Sequence, residues 1–241
     1  MAALLALQDV SKAFGSLRVI DGLTLAVDER EALGVIGPNG AGKTTALNLM
    51  IGRLRPGHGT VVFAGRDITS APPHARCRAG IALTHQIPHP FDALTVFENV
   101  LVGGVFGTGA SERAAYGPSM DALELAGLAA RANTRAGTLT LLERKRLELA
   151  RALATGPRVL LLDEIAGGLS EHEVHELVEV IRRVHRSGVA IIWIEHIVHA
   201  LRSVVSRLAV ISAGRMLMDG APDAVMASAE VQRVYLGIDV Q

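Results

Sequence analysis

A glycine-rich stretch at residues 37–45 has the composition and spacing of a phosphate-binding loop. It reads Gly37, Pro38, Asn39, Gly40, Ala41, Gly42, Lys43, Thr44 and Thr45. A short apolar run precedes the stretch, and an apolar run with helical spacing follows it. Glycines leave room for backbone N–H groups to surround a phosphate, and the dipole of a helix beginning near Lys43 favours the same anion. Lys43 supplies a charge for the outer phosphates, and the Thr44 hydroxyl suits a Mg²⁺ ligand.

Two acidic residues follow a second apolar run and indicate metal binding and acid–base chemistry. Residues 159–162 are Val-Leu-Leu-Leu, and Asp163 and Glu164 come next. This pattern predicts a central parallel strand whose carboxyl end meets the ligand. Asp163 would hold Mg²⁺ directly or through water, and Glu164 would polarise an attacking water, a role worth ~10²–10⁴ in rate. Taken alone, a strand end with two solvated acids explains the pattern equally well, and the phosphate loop decides for the functional interpretation.

Two further predicted strands end in polar side chains. Gln86 follows the apolar run at 81–84, and His196 follows the run at 189–194. At a strand end Gln86 would reach Mg²⁺ or the attacking water, and His196 would donate to a γ-phosphate and orient Glu164. The alternatives are an ordinary loop glutamine and a structural histidine.

The composition limits the classes of function. The chain has 241 residues, 49% of them hydrophobic, and its 24 basic and 24 acidic residues give zero net charge. Without a basic excess, nucleic acid is not expected as the main partner. Cys77 is the only cysteine, so no intrachain disulfide can form and a reducing compartment fits. No apolar run approaches the ~18 residues that span a bilayer. Residues 1–7 lack the basic flank of a signal peptide, so we expect a soluble protein.

The order of the predicted elements indicates an α/β fold. Strands are predicted at 4–10, 17–27, 32–36, 60–63, 81–84, 158–162, 189–194, 208–211 and 216–218. The first two strands, with a turn at Asp21 and Gly22, form an antiparallel part. The later strands alternate with helices, including 171–187 and a tail at 224–236, which predicts a mostly parallel sheet of the P-loop, RecA-like type.

One region of the chain changes character. Between about 87 and 156, prolines at the start and helical patterns at 120–130 and 141–154 replace the alternation of strands and helices. We interpret this region as a helical subdomain inserted into the α/β core of a single domain, residues 1–241.

These pieces, in this order, resemble the ATP-binding subunit of ABC transporters over essentially the whole chain. Residues 37–45 match the Walker A loop of that family, and Asp163 and Glu164 match Walker B and its catalytic glutamate. The resemblance implies that ATP is the substrate and that Mg²⁺ is the cofactor. It also implies that Gln86 is the Q-loop residue and His196 the switch histidine.

The same resemblance assigns roles to two positions whose function the residues alone do not indicate. Phe14 matches the aromatic residue that stacks on adenine, and residues 168–170 lie in the D-loop. Several stretches look like the ATPases of branched-chain amino acid importers, namely 94–100, 146–153, 193–196 and 234–237.

The resemblance also implies partners and a location. Two copies, or this chain with a paralogue, would sandwich two ATP molecules head to tail. Separate permease subunits would form the membrane channel, and a periplasmic or extracellular binding protein would act only indirectly. The chain would be cytoplasmic and peripheral, on the inner face of the cell membrane.

One segment departs from the family pattern. The signature, roughly L-S-G-G-Q or L-P-Y-G-Q, falls at residues 139–143, which read L-T-L-L-E, so Leu142 stands where both versions have glycine. Thr140 and Glu143 still form a capping box, which predicts a helix start and a surviving anion site. In the family this segment caps the partner subunit's ATP. Leu142 either holds the two subunits apart and slows hydrolysis, or points sideways and leaves the N–H groups to act.

Three other functions fit parts of the sequence. A non-transport ABC ATPase of repair or translation often carries tandem copies, long coiled coils or basic extensions, none of which occurs in this sequence. A nucleotide-binding regulatory subunit with weak hydrolysis would fit Leu142, but Glu164 and His196 count against it. A P-loop GTPase needs N-K-x-D, and no asparagine here is followed by lysine.

Overall fold

The computed structural model describes residues 3–236, which form two compact units. One unit contains the residues up to Pro73 together with those from Ala190 onward, and the other is His74–Val189. Gly237, the last residue of the 234–237 match, and residues 1 and 2 lie outside the described part. Within that part, no helix is long and apolar enough to cross a membrane. The single domain with a helical subdomain at about 87–156 stays a prediction.

Strands and helices follow one another along the chain. The strands are β1 (Leu5–Phe14), β2 (Leu17–Val27), β3 (Ala32–Ile36), β4 (His58–Phe63), β5 (Arg66–Asp67), β6 (Ile81–Thr84), β7 (Val159–Asp163), β8 (Ala190–Ile194), β9 (Arg207–Ser212) and β10 (Arg215–Gly220). The α-helices are α1 (Lys43–Met50), α2 (Pro73–Ala79), α3 (Val96–Thr108), α4 (Glu112–Ala126), α5 (Leu141–Leu153), α6 (Glu171–Arg186), α7 (Val198–Arg202), α8 (Pro222–Ala227) and α9 (Ala229–Val231). Short 3-10 turns lie at Ala129–Arg131 and Ala136–Thr138, and a π-helical turn lies at Gln232–Leu236.

The first unit contains the antiparallel sheet that the sequence predicts, in the order β2-β1-β4-β5. The predicted turn at Asp21 and Gly22 is wrong, because β2 runs through both residues. The pairing register shifts between β1 and β2 on both sides of the Val10–Leu23 pair, and Gly22 has a left-handed φ of +62°. A glycine of this conformation within a paired strand is typical of a bulge, which the sequence alone does not separate from a hairpin turn.

The parallel strands of the first unit position a loop and a strand end at one edge. Strand β3 lies between β8 and β9 and is parallel to both. All residues of β3 and β8 are buried, which explains their unbroken apolar sequences. Strands β9 and β10 form an antiparallel hairpin around Ala213 and Gly214. The predicted tail helix is divided at Ser228, which is extended and separates α8 from α9.

The second unit combines the parallel pair β6 and β7 with a helical core. Thr84 pairs with Leu162, so the two strands end at the same edge. Helices α3, α4 and α5 contribute to one apolar cluster that includes Val100, Leu123 and Leu147.

Helix α3 is absent from the sequence-based prediction. Its glycines at 103, 104 and 107 lower the intrinsic helix propensity. The structure gives two of them a packing role, because a Cβ atom at Gly103 would lie 2.6 Å from the Arg151 carbonyl oxygen and one at Gly107 would lie 2.6 Å from Cγ2 of Thr155. The predicted helix at 120–130 also starts too late, because α4 begins at Glu112 and contains Pro118.

Candidate functional site

The glycine-rich loop joins β3 to α1 in the first unit and packs tightly against its neighbours. A Cβ atom added to Gly37 would lie 2.0 Å from the carbonyl oxygen of Ile211 on β9. Gly42 has a left-handed φ of +99°, and its Cβ would lie 2.6 Å from Cδ1 of Ile20 on β2. No side chain fits at either position, so the course of the loop depends on these two glycines.

Lys43 begins α1 and is buried. Its Nζ atom donates hydrogen bonds to the carbonyl oxygens of Gly37 at 2.7 Å and Pro38 at 3.0 Å, so the ammonium group lies beside the start of the loop. Thr44 is exposed and Thr45 is half-buried. The loop therefore combines a held cation with an exposed hydroxyl at the N-terminus of a helix, the arrangement that suits a phosphate and its metal ion.

The remaining loop positions form its outer part. Asn39 and Gly40 are exposed, whereas Ala41 is buried. Gly40 has a φ of +78°, and among residues 3–236 a Cβ atom there would meet nothing within 4 Å except its own chain neighbours. The outer part is thus open, in contrast to the crowded backbone at Gly37.

His196 lies at the same edge of the first unit as the loop. Val35 pairs with Ile194 in the parallel β3–β8 pair, so the chain leaves β8 towards His196 where it leaves β3 towards Gly37. The His196 side chain is exposed, and its backbone N–H donates to the buried carboxylate of Glu195 at 2.9 Å. The structure thus brings His196 and the loop to neighbouring strand ends.

Phe14 is the last residue of β1, and its side chain is 47% exposed. The Nζ atom of Lys12 lies 5.5 Å from the centroid of its ring. An aromatic ring with a face open to solvent is suited to stacking on a flat ligand.

Gln86 and Glu164 meet in the second unit. The Nε2 atom of Gln86 donates a hydrogen bond of 2.8 Å to Oε2 of Glu164. Glu164 has a left-handed φ of +47°, a conformation that costs a non-glycine residue about 1–3 kcal/mol and is frequent at functional sites. Asp163, the last residue of β7, is half-buried. The predicted meeting of these strand ends is therefore seen within this unit.

The signature segment forms the start of α5. Thr140 is the N-cap: its hydroxyl accepts from the backbone N–H of Glu143 at 3.3 Å, and the Glu143 carboxylate accepts from the backbone N–H of Thr140 at 3.0 Å. Arg131 donates to Glu143 at 2.8 Å, and this hydrogen bond lowers the pKa of the Glu143 carboxyl. The capping box predicted from the sequence is present, with its acidic member held ionised.

Two adjacent leucines of the signature, Leu141 and Leu142, differ in exposure. Leu142 is 7% exposed, whereas Leu141 is 41% exposed. Leu142 occupies the position where the family has glycine, but its side chain is buried and does not project. Leu141 is the leucine that an approaching molecule would meet.

Lys145, on α5, is a buried cation that the sequence pattern does not mark as part of a site. Its side chain is 2% exposed, and its Nζ atom donates to the backbone carbonyl of Gln86 at 3.1 Å. The only sequence signal was rarity, because Lys12, Lys43 and Lys145 are the only lysines in the chain. A charged side chain this deeply buried is uncommon and normally has bound partners.

Comparison with known proteins gives one consistent family. A family model described as "ABC transporter" matches residues 20–167. The high-affinity branched-chain amino acid transport ATP-binding protein BraF of Pseudomonas aeruginosa is 35% identical over 249 residues, which cover 97% of this chain and 98% of that protein. The lipopolysaccharide export system ATP-binding protein LptB of Haemophilus influenzae is 31% identical over 235 residues and 98% of each chain.

The fold is shared with solved structures as well. A crystal structure of the ADP conformation of an ATP-binding cassette of an ABC transporter has a TM-score of 0.90 and 26% sequence identity, covering 99% of this chain and 100% of that one. The predicted P-loop α/β fold is thereby confirmed. With its matching family model and full-length relatives, this chain belongs to the ABC transporter family and is an ATP-binding, ATP-hydrolysing subunit of a transporter.

Proposed function

We propose that this chain powers an importer of branched-chain or related amino acids. The observation that carries the proposal is the 35% identity to BraF over 97% of the chain, since BraF is named for branched-chain amino acid transport. The stretches at 94–100, 146–153 and 193–196 support the same subfamily. ATP hydrolysis by this chain would drive transport through separate membrane subunits.

The phosphates of ATP are bound by the glycine-rich loop. The backbone N–H groups of residues 39–45 surround them, and Lys43 neutralises part of their charge. The crowding at Gly37 and Gly42 supports this role, because it restricts the loop backbone to one conformation. Phe14 stacks on adenine through its exposed face.

Oxygen atoms of Gln86 and Asp163 in the second unit would hold Mg²⁺, and Thr44 in the first unit offers a hydroxyl oxygen of the kind this ion binds. These groups fit the ion, which prefers hydroxyl, amide and carboxylate oxygens. The amide nitrogen of Gln86 donates to Glu164, which leaves the amide oxygen available to the ion. When bound, the ion would supply positive charge beside the phosphate oxygens.

Hydrolysis depends on Glu164 and His196. The Glu164 carboxylate accepts a proton from the attacking water, and Gln86 fixes its orientation. His196 donates a hydrogen bond to the γ-phosphate from its exposed side chain at the end of β8. Both residues are present, which argues against a purely regulatory nucleotide-binding subunit.

ATPase subunits of this family act as dimers together with membrane permease subunits. We place Thr140, Leu142 and Glu143 at the ATP bound by the partner subunit, where the N-terminus of α5 presents backbone N–H groups. The dimer is formed by two copies or by this chain and a paralogue. The chain then lies on the inner face of the cell membrane, and a binding protein outside contacts only the permease.

An exporter subunit is the rival function. It is favoured by the 31% identity to LptB, which is named for lipopolysaccharide export. The two proposals share the ATPase chemistry and differ in the permease and the cargo.

Uptake measurements separate these functions. A strain that lacks this chain would be assayed for entry of labelled leucine, isoleucine and valine, with a labelled sugar as the control. We expect amino acid uptake to fall and sugar uptake to stay unchanged. Wild-type chain restores uptake and Lys43→Ala does not. Unchanged uptake of all three amino acids, together with a loss of surface lipopolysaccharide, would replace the importer by the exporter.

A further inference from the structure

Helix α5 carries three polar side chains, spaced three residues apart, that form hydrogen bonds with the backbone of residues 86–89, shortly after β6. Lys145, Glu148 and Arg151 occupy neighbouring positions on one side of the helix. Lys145 donates from Nζ to the backbone carbonyl of Gln86 at 3.1 Å. This contact fixes Gln86, the second residue after β6, at its backbone and leaves the Gln86 side chain directed by its own hydrogen bond.

The other two side chains fix the segment further along. The carboxylate of Glu148 accepts from the backbone N–H of His89 at 3.1 Å, and Arg151 donates to the backbone carbonyl of His89 at 3.0 Å. Arg151 also donates to Glu148 at 2.8 Å, and its guanidinium lies 5.1 Å from the ring centroid of Phe91. Helix α5 therefore holds residues 86–89 at both ends, Gln86 and His89.

The Gln86 side chain extends this network to the strand end of β7. Its Nε2 atom donates to Oε2 of Glu164 at 2.8 Å. A continuous path therefore runs from the Lys145 ammonium through the backbone and side chain of Gln86 to the Glu164 carboxylate. Every member lies in the second unit.

We propose that Lys145 is a positioning residue for ATP hydrolysis, which acts by holding Gln86 so that its amide keeps the Glu164 carboxylate in the orientation needed for water activation. The inference rests on the proposed role of Glu164 as the general base. Burial of the Lys145 ammonium makes the contact directional, because a buried cation is stable only against fixed acceptors.

A small displacement of Gln86 has a large consequence at the carboxylate. Proton transfer requires the base to lie within hydrogen-bond reach of the water, and misplacement by about 1 Å can cost ~10²-fold in rate. Lys145 touches neither ATP nor water in this proposal. Its removal therefore lowers kcat while the binding of ATP by the first unit is retained.

The test is a double-mutant cycle on steady-state MgATP hydrolysis by the purified full chain. Lys145→Met is expected to lower kcat roughly tenfold, a part of the ~10²–10⁴ that a positioned base supplies, with KM within about twofold of wild type. Gln86→Ala removes the side chain that transmits the effect but keeps the backbone carbonyl that Lys145 binds. In the Gln86→Ala background, Lys145→Met is therefore expected to cause no further loss of kcat.

Two variants test the physical cause. Lys145→Arg keeps the charge and donors and is expected to restore kcat to within about threefold of wild type. Arg146→Met is the matched control: Arg146 is the next residue of α5, and its guanidinium pairs with the Glu176 carboxylate at 2.6 Å. It is expected to lower thermal stability as Lys145→Met does, but to leave kcat unchanged.

Three results would overturn the proposal: an unchanged kcat in Lys145→Met, an equal loss of kcat in the presence and absence of the Gln86 side chain, or an equal loss in Arg146→Met. Should Lys145→Met not fold, Lys145→Gln serves in the same cycle, with roughly a threefold loss expected because a neutral amide makes a weaker hydrogen bond. The proposed function is tested separately by Glu164→Gln. If the wild-type chain hydrolyses ATP and the Glu164→Gln chain does not, the ATPase assignment is retained regardless of the result of the Lys145 cycle.

Discussion

The side-chain amide nitrogen of Gln86 lies 2.8 Å from Oε2 of Glu164. Two parallel strands create this proximity, because Thr84 pairs with Leu162 and the following residues leave β6 and β7 at one edge. The left-handed backbone of Glu164, with φ of +47°, turns the chain sharply at that point. A carboxylate held by both a strained turn and a hydrogen bond is preorganised for a defined role.

We predict that Glu164→Gln stops hydrolysis and accumulates an ATP-bound dimer. An amide lacks the basicity to take a proton from water, so kcat should fall by about 10²–10⁴. Light scattering at saturating MgATP should then show a mass near twice that of one chain. Glu171→Gln, an exposed position in the first turn of α6, is the control and should behave as wild type. A Glu164→Gln chain that stays monomeric would count against the dimer.

The sequence predicts the parts of this site that depend on local pattern. Apolar runs that end in polar residues predicted the strand ends at Gln86 and His196, and the spacing of Thr140 and Glu143 predicted the capping box of α5. Each rests on backbone periodicity or on neighbours within one helical turn.

Side-chain direction and long-range contacts were not predictable in this way. The burial of Leu142 depends on packing around α5, which the sequence does not reveal at a single position. The contact of Lys145 with Gln86 joins residues separated by 59 positions. Helix α3 was missed because its glycines serve close packing, whereas propensity counts them against a helix.

Lys43→Ala is expected to abolish ATP binding. The change removes the cation proposed for the phosphates and also the two hydrogen bonds from Nζ to the start of the loop. Titration calorimetry with ATP is the measurement. Arg66→Ala is the control, because Arg66 is an exposed cation of the same unit on β5. Unchanged affinity in Lys43→Ala would remove the assignment of the phosphate loop.

Alanine at two glycines of the loop should have very different effects on stability. At Gly37 the new Cβ would lie 2.0 Å from a backbone oxygen, so the backbone of the loop or of β9 must move. We expect the free energy of unfolding to fall by more than about 4 kcal/mol. At Gly40 the new Cβ would meet no atom of the described residues within 4 Å beyond its own chain neighbours, and only the left-handed backbone opposes alanine, at about 1–2 kcal/mol. Urea unfolding of both variants measures the difference, and equal losses would contradict the crowding at Gly37.

Substitutions at Leu142 and Leu141 of the signature should affect stability and subunit association separately. Leu142 is buried, so Leu142→Ala should cost about 2–5 kcal/mol and lower Tm by about 5–15 °C without raising turnover. Unchanged turnover would contradict the hypothesis that the Leu142 side chain holds the two subunits apart. A rise in turnover after Leu142→Ala or Leu142→Gly would restore that role.

Leu141 is the matched comparison, because its side chain is the exposed one. Leu141→Ala should change Tm by less than about 2 °C. If the start of α5 faces the partner subunit, loss of this apolar contact should weaken ATP-dependent dimerisation by about fivefold, near 1 kcal/mol. Sedimentation in the Glu164→Gln background measures the dimer without interference from hydrolysis. Unchanged association would remove Leu141 from the dimer contact, because an exposed leucine that is buried there must contribute to its stability.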